Sequence, residues 1–267
     1  MSPKDVSIEQ LEYLKKVQAH KRMILLLRIL LLIVLFALWE MATRLKWMDP
    51  FIFSSPVRML KTIGRLTADG SIYEHVWTTL WETVTGFVLG TVVGILIAIV
   101  LWSSETVSKV LEPYLVVANA LPKIALGPVF IVWLGAGPLS IITVALTVSL
   151  IVTVLEVYTG FQEADPEKIR LVKSFGATRK QVLTKVILPS SFPVMMNALK
   201  VNVGLSWVGV IVGEFLVSRA GLGYLIVYGG QVFQLDLVMT SVLILSVLAA
   251  LMYFGVQLLG KGISRKY

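Results

Sequence analysis

Cysteine is absent from the 267 residues, so the chain has no disulfide framework, no thiolate metal site and no cysteine nucleophile. Histidine is almost absent as well. His20 and His75 lie far apart in polar segments, which leaves no histidine metal cluster within one chain. Charged residues make up only 15 %, against about 25 % in soluble domains, while hydrophobic residues reach 57 %. Residues 88–101, 124–134 and 141–155 carry no charge at all. A Gly-x-x-x-x-Gly-Lys-Ser/Thr phosphate loop is also missing, which excludes ATP hydrolysis by that route. No triad, paired acid/base groups or mid-span cluster of carboxylates is legible. No catalytic residue and no metal site are expected, and the chain is read as a non-enzyme.

What is present is a series of apolar runs of membrane-spanning length, about 20 residues each. Six are expected: about 23–42, 79–102, 110–134, 139–159, 194–217 and 237–259, which makes the fold class an all-α polytopic membrane protein. The first run, Met23–Trp39, follows Lys15, Lys16, Lys21 and Arg22 and resembles a signal peptide. It ends in Trp39, Glu40 and Met41 rather than a small-residue cleavage site, so an uncleaved span is expected. Ser55-Pro56 begins a short amphipathic helix at about 56–68. Gly86, Gly90, Gly94 and Ala98 form a small-residue stripe that lets helix backbones approach closely. The third run is interrupted by Leu121-Pro122-Lys123 and Gly127-Pro128, which predicts a kinked or broken helix.

The net charge of +8 is a matter of orientation rather than nucleic-acid binding, because the basic residues flank apolar runs. Six spans place both termini on one side. That side collects Lys4, Lys15, Lys16, Lys21, Arg22, Lys109, the basic residues of 160–193, Lys261, Arg265 and Lys266. The other receives Arg44, Lys46, Arg58, Lys61, Arg65 and Arg219. The positive-inside rule makes the first side cytoplasmic. The expected division is a cytoplasmic segment 1–22, a transmembrane domain 23–259 with a cytoplasmic loop 160–193, and a cytoplasmic tail 260–267.

That loop carries the most information. Asp165 is a helix N-cap, Pro166 takes the first helical position and Glu167 suits the helix N-terminus. Gly176 stops the helix in the left-handed region. Thr178 and Gln181 form a capping-box pattern for a second short helix with Val182, Leu183 and Val186 on one face, and Pro189 is expected to end it. The result is a compact knob.

The segment resembles the "EAA" loop of binding-protein-dependent ABC importer permeases, with Gly176, Val186, Leu188 and Pro189 at matching spacing. Glu163-Ala164-Asp165 lies too far upstream, so Arg170-Leu171-Val172 occupies the triplet and the role of the family's glutamate does not carry over. Leu121-Pro122, residues 133–137 (Trp133 to Gly137) and Gly221-Leu222-Gly223-Tyr224 are similar to the nitrate/sulfonate/taurine/bicarbonate branch. This resemblance implies an ABC type I importer-like permease fold in the inner membrane. It implies coupling to an ATPase dimer through Arg170, Gly176, Ala177, Val186, Leu188 and Pro189. It also implies a second permease copy, an extracytoplasmic solute-binding protein, and ATP and Mg held by the partner ATPase rather than by this chain. The substrate would be a small solute such as nitrate, a sulfonate, taurine, bicarbonate or a vitamin precursor.

Candidates for the translocation pathway follow from polarity inside spans. Lys123 near the middle of the third span either faces water or an interface, or pairs structurally. Asn119, Asn202 and Ser206 either line the same cavity or bond between helices. Trp133 and Trp207 serve packing or gating. Glu214 pairs with Arg219 or meets the binding protein. The competing class is a stand-alone secondary transporter or channel, which needs a coupling-ion site of its own.

Overall fold

The computed structural model describes residues 8–264, and within them every regular element is a helix. Lys4, Arg265 and Lys266 lie outside the described residues. Lipid offers no hydrogen bonds, so each crossing segment must satisfy its own backbone, and the helix does this. The long elements are α1 (Ile8–Arg44), α4 (Ser71–Ser103), α7 (Pro138–Gln162), α10 (Leu188–Val217) and α12 (Leu235–Ser264). Each lies in a helical stretch long and apolar enough to cross a membrane. Between α1 and α4 lie α2 (Pro50–Phe53) and α3 (Pro56–Ala68), the amphipathic helix expected from Ser55-Pro56. Ser55 caps α3 through its hydroxyl.

The core is a triplet of α4, α7 and α10. The Gly86, Gly90, Gly94 stripe meets Ala145, Ser149 and Thr153 in turn, so α4 and α7 run parallel. Gly209 and Gly213 of α10 press on Ala145 and Ile141, so α10 runs antiparallel to both. These approaches are so close that a Cβ at Gly94 would stand 2.8 Å from Thr153 Cγ2.

Two parallel neighbours dictate what lies between them. Residues 105–137 must carry the chain back across the bilayer. They do so as α5 (Glu105–Ala120), a 3-10 turn Lys123–Leu126 and α6 (Gly127–Leu134), with an 86° bend at the break. The predicted broken helix is therefore a sixth crossing, and the described ends of α1 and α12 lie at the same end of the bundle. That end also carries residues 163–187 and is called here the knob end. The opposite end, with α2, α3 and the turn Ser218–Gly221, is the hairpin end.

One expectation is corrected. Pro189 does not end the second knob helix. Helix α9 (Arg179–Val182) passes through a π turn, Leu183–Ile187, straight into α10, giving one helical stretch Arg179–Val217. Leu188 N–H reaches back five residues to Leu183 O, and this wider turn makes room for the Pro189 ring in the first turn of α10. The segment after α10 holds α11 (Leu222–Gln231), which packs Leu222 and Leu225 against Leu66 and Leu237.

Candidate coupling knob and translocation face

The knob is built by local chemistry. Asp165 accepts from Glu167 N–H at 2.9 Å, starting α8 (Pro166–Ser174). Gly176 ends it at φ +78°, a conformation that side chains with a Cβ adopt only under strain. Thr178 and Gln181 close the predicted capping box. The base of the knob is apolar. Val182 and Ile187 are buried with Phe161, Val157 and Ala98, and Ile169, Ala177 and Leu188 pack on them. Ser191 Oγ also donates to Gly160 O at 2.6 Å, tying α10 to α7 beneath the knob.

The expected coupling residues divide by this geometry. Arg170 and Gly176 are exposed at the tip, whereas Val186 is buried and Ala177, Leu188 and Pro189 are half-buried at the root. The structure adds Phe175, which sequence reading passed over, and shows Leu171 of the triplet beside it at the surface. Phe175 is 81 % exposed and Leu171 58 % exposed, and together they give a charged knob an apolar tip. Their signal was present, since both lie in the longest polar stretch of the second half of the chain. Phe175 also directly precedes the left-handed glycine.

The pathway candidates fall into two separate groups. Asn119, Lys123 and Trp133 belong to the broken span. Asn119 and Trp133 are exposed, Trp133 at 73 %, and Lys123 is half-buried beside Asn119. Their neighbours Val116, Val117, Leu121 and Val132 are exposed too, so polar groups sit within a wide apolar face. Lys123 Nζ donates to Asn119 O at 2.9 Å. Pro122 stops α5 before the Lys123 amide can satisfy that carbonyl, and the ammonium caps the helix end instead.

Asn202, Ser206, Trp207 and Glu214 do not join them. All four are buried inside the protomer. Asn202 Nδ2 bonds Thr91 Oγ1 of α4, and Trp207 packs with Val203 and Val256. Glu214 neither pairs with Arg219 nor reaches the surface. Its Oε2 accepts Gly223 N–H at 2.6 Å, drawing the start of α11 onto the end of α10. Sequence reading also missed Glu82 of α4, which is 1 % exposed and lies within hydrogen-bonding reach of Glu214. Two carboxyl groups thus meet near the hairpin end of the bundle, away from the middle of the spans. The pairing was invisible because the two residues meet only through the packing of helices distant in sequence. Among the described residues no group of three or more His, Cys, Asp or Glu is arranged to hold a metal.

Comparisons with known proteins agree with this architecture. The model of the family "binding-protein-dependent transport system inner membrane component" matches residues 90–267. A probable ABC transporter permease protein of Haemophilus influenzae is 31 % identical over 233 residues, covering 87 % of this chain and 94 % of the relative. The taurine transport system permease of Escherichia coli K12 is 24 % identical over 233 residues, covering 85 % of each. A solved bacterial ABC transporter involved in import of the acidic polysaccharide alginate has a chain with the same fold. It gives a TM-score of 0.64 at 15 % identity, over 93 % of this chain and 99 % of that one.

The chain belongs to the inner-membrane permease family of binding-protein-dependent ABC transport systems. Members of that family are multi-pass transporter subunits rather than enzymes, and its sulfonate and taurine permeases are among the relatives of this chain.

Proposed function

We propose that this chain is the permease subunit of an ABC importer for a small anion, with the α8–α9 knob as the contact that receives work from a separate ATPase. The observation that carries this reading is the knob itself. An apolar tip, Leu171 and Phe175, stands exposed outside the spans on a base that is packed into the core. Phe175 and Leu171 together offer an apolar surface on which a partner subunit would dock, and the rigid root would pass a displacement to α7 and α10 rather than absorb it.

In this reading the knob end is cytoplasmic, in line with its basic residues. Residues 1–22 and 260–267 lie there, and residues 23–259 form the membrane domain. ATP and Mg are bound by a dimer of ATPase subunits. A second copy of the chain faces the first across α5 and α6, so that Asn119, Lys123 and Trp133 border a shared passage. An extracytoplasmic binding protein delivers the solute at the hairpin end. The taurine relative and the ammonium of Lys123 favour a sulfonate-like anion.

Purification of the tagged chain from native membranes tests this. A copurifying ATPase whose hydrolysis rises with loaded binding protein is the expected result. Transport by the chain alone, driven by an ion gradient, would overturn it in favour of a stand-alone transporter.

A further inference from the structure

Glu82 and Glu214 are each 1 % exposed and lie within hydrogen-bonding reach of one another at the hairpin end of the bundle. Glu214 Oε2 is occupied by the Gly223 N–H, but Glu214 Oε1 and Glu82 Oε2 have no hydrogen-bond partner. Two nearby backbone donors are engaged elsewhere, whereas the Thr79 hydroxyl and the Tyr224 N–H lie close to the Glu214 carboxyl and leave Glu82 without a donor of its own. Leu222 N–H donates to Thr79 Oγ1 at 2.7 Å, and Gly221 N–H to His75 Nδ1 at 3.0 Å. The hairpin backbone also leaves no slack, because a Cβ at Gly223 would stand 2.8 Å from Glu214 Cβ.

Among the described residues no cation pairs with either carboxyl group. Arg219, in the adjoining turn, is exposed and forms no ion pair among the described residues. From α4, His75 accepts at Nδ1 and so carries its ring proton on Nε2, and Glu74 is exposed. From α11, Tyr224 stacks on His75. Helix α7 offers only Glu156, about 20 Å further along the helix than Ile141 at 1.5 Å per residue. From α12, Asp236 is taken by Arg58, and in α3 Arg65 is exposed. On α10 itself the next charge is Lys200, close to four turns away.

Two adjacent carboxyl groups in a low-dielectric site without a cation cannot both be ionised, whereas one proton between them gives a donor to one orphan oxygen and occupies the other. We propose that Glu82 and Glu214 form a proton-binding site that holds one proton between them, and that this proton fastens the Ser218–Gly223 hairpin onto α4 and α10. Losing the proton leaves two facing negative charges and loosens the hairpin. The site does not depend on the coupling role of the knob.

The test uses the full complex in lipid nanodiscs. Infrared spectra of the parent at neutral pH should contain a protonated-carboxyl C=O stretch that disappears in both Glu82→Gln and Glu214→Gln. Arg219→Cys then reports the hairpin through maleimide labelling, measured in the parent and in Glu82→Gln so that thiol ionisation cancels. The amide introduced by Glu82→Gln donates to Glu214 without needing the shared proton. The ratio of parent to Glu82→Gln labelling should therefore climb severalfold as the pH is raised from neutral into the alkaline range. An unchanged carboxyl band in both variants, or a ratio that stays flat with pH, would overturn the proposal. Labelling that follows sodium concentration at fixed pH would overturn it too, by assigning the pair to a metal cation. If Glu82→Gln fails to assemble, Glu214→Gln and the infrared band decide alone.

Discussion

Asn202 of α10 donates its Nδ2 to Thr91 Oγ1 of α4 at 2.7 Å, and both side chains are buried. This joins two helices whose connection in sequence is long, in a setting where side-chain hydrogen bonds are worth about 0.6 kcal/mol on average and up to ~1.7. A double-mutant cycle with Asn202→Ala and Thr91→Val should return a coupling in that range. Asn202→Ala alone should cost more, about 2 kcal/mol, because it also leaves a cavity. Unfolding in detergent measures both. Slowed transport with unchanged stability would instead place Asn202 on the solute path.

Gly209 and Gly204 lie in the same helix and differ only in what faces them. A Cβ at Gly209 would run into the Ala145 backbone, while one at Gly204 meets nothing within 4 Å. Gly209→Ala should therefore prevent stable assembly of the α7–α10 pair. Gly204→Ala should be neutral or stabilising, by about 0.5–1 kcal/mol. Yield of folded protein and thermal unfolding separate the two outcomes.

At the knob, Gly176→Val forces a β-branched residue into φ +78°. The strain is about 1–2 kcal/mol. The variant should insert normally but lose binding-protein-stimulated ATP hydrolysis, and Gly176→Asn should retain most of it because Asn tolerates the left-handed region. Phe175→Ala leaves the backbone alone and removes the apolar tip. It should weaken ATPase association about tenfold or more, in proportion to the buried ring. Normal transport by both Gly176→Val and Phe175→Ala would exclude the knob as the coupling element.

Lys123→Gln separates cap from charge. Glutamine can still donate to Asn119 O, so the end of α5 stays satisfied while the ammonium is gone. Anion transport should fall severalfold at saturating binding protein, with assembly and basal ATP hydrolysis unchanged. Equal transport by variant and parent would confine Lys123 to its capping role.

Much of this was legible in the chain because the bilayer and the turn residues each leave a local mark. The six spans follow from length and apolarity, the break in the third from Pro122 and Pro128, and the knob from Asp165, Gly176, Thr178 and Gln181. Each of these devices acts over a few residues. The stripe of Gly86, Gly90 and Gly94 announced a close contact but not its partner, since Ala145, Ser149 and Thr153 carry no complementary signal. The misreadings have the same origin. Pro189 predicts a stop by local rules, yet one wider turn accommodates it. Glu82 and Glu214 look ordinary singly, and only the juxtaposition of α4 and α10 makes them a pair. Ser206 read as a cavity or interhelical group and Trp207 as a packing or gating one, and the choice between these is set by the packing of α12 and α4 around α10, which no local pattern reveals.

The π turn at Leu183–Ile187 has a mechanical consequence. It makes the stretch Arg179–Val217 a single shaft, rooted in the knob and reaching the hairpin end, about 58 Å long at 1.5 Å per residue. Ile187 lies in that turn and Leu188 just after it, and both pack on the base of the knob, so the wider turn is held in place by the core. In the function proposed above, a displacement of the knob would therefore be carried along one continuous helix towards Gly209, Gly213 and Glu214 rather than taken up at a joint.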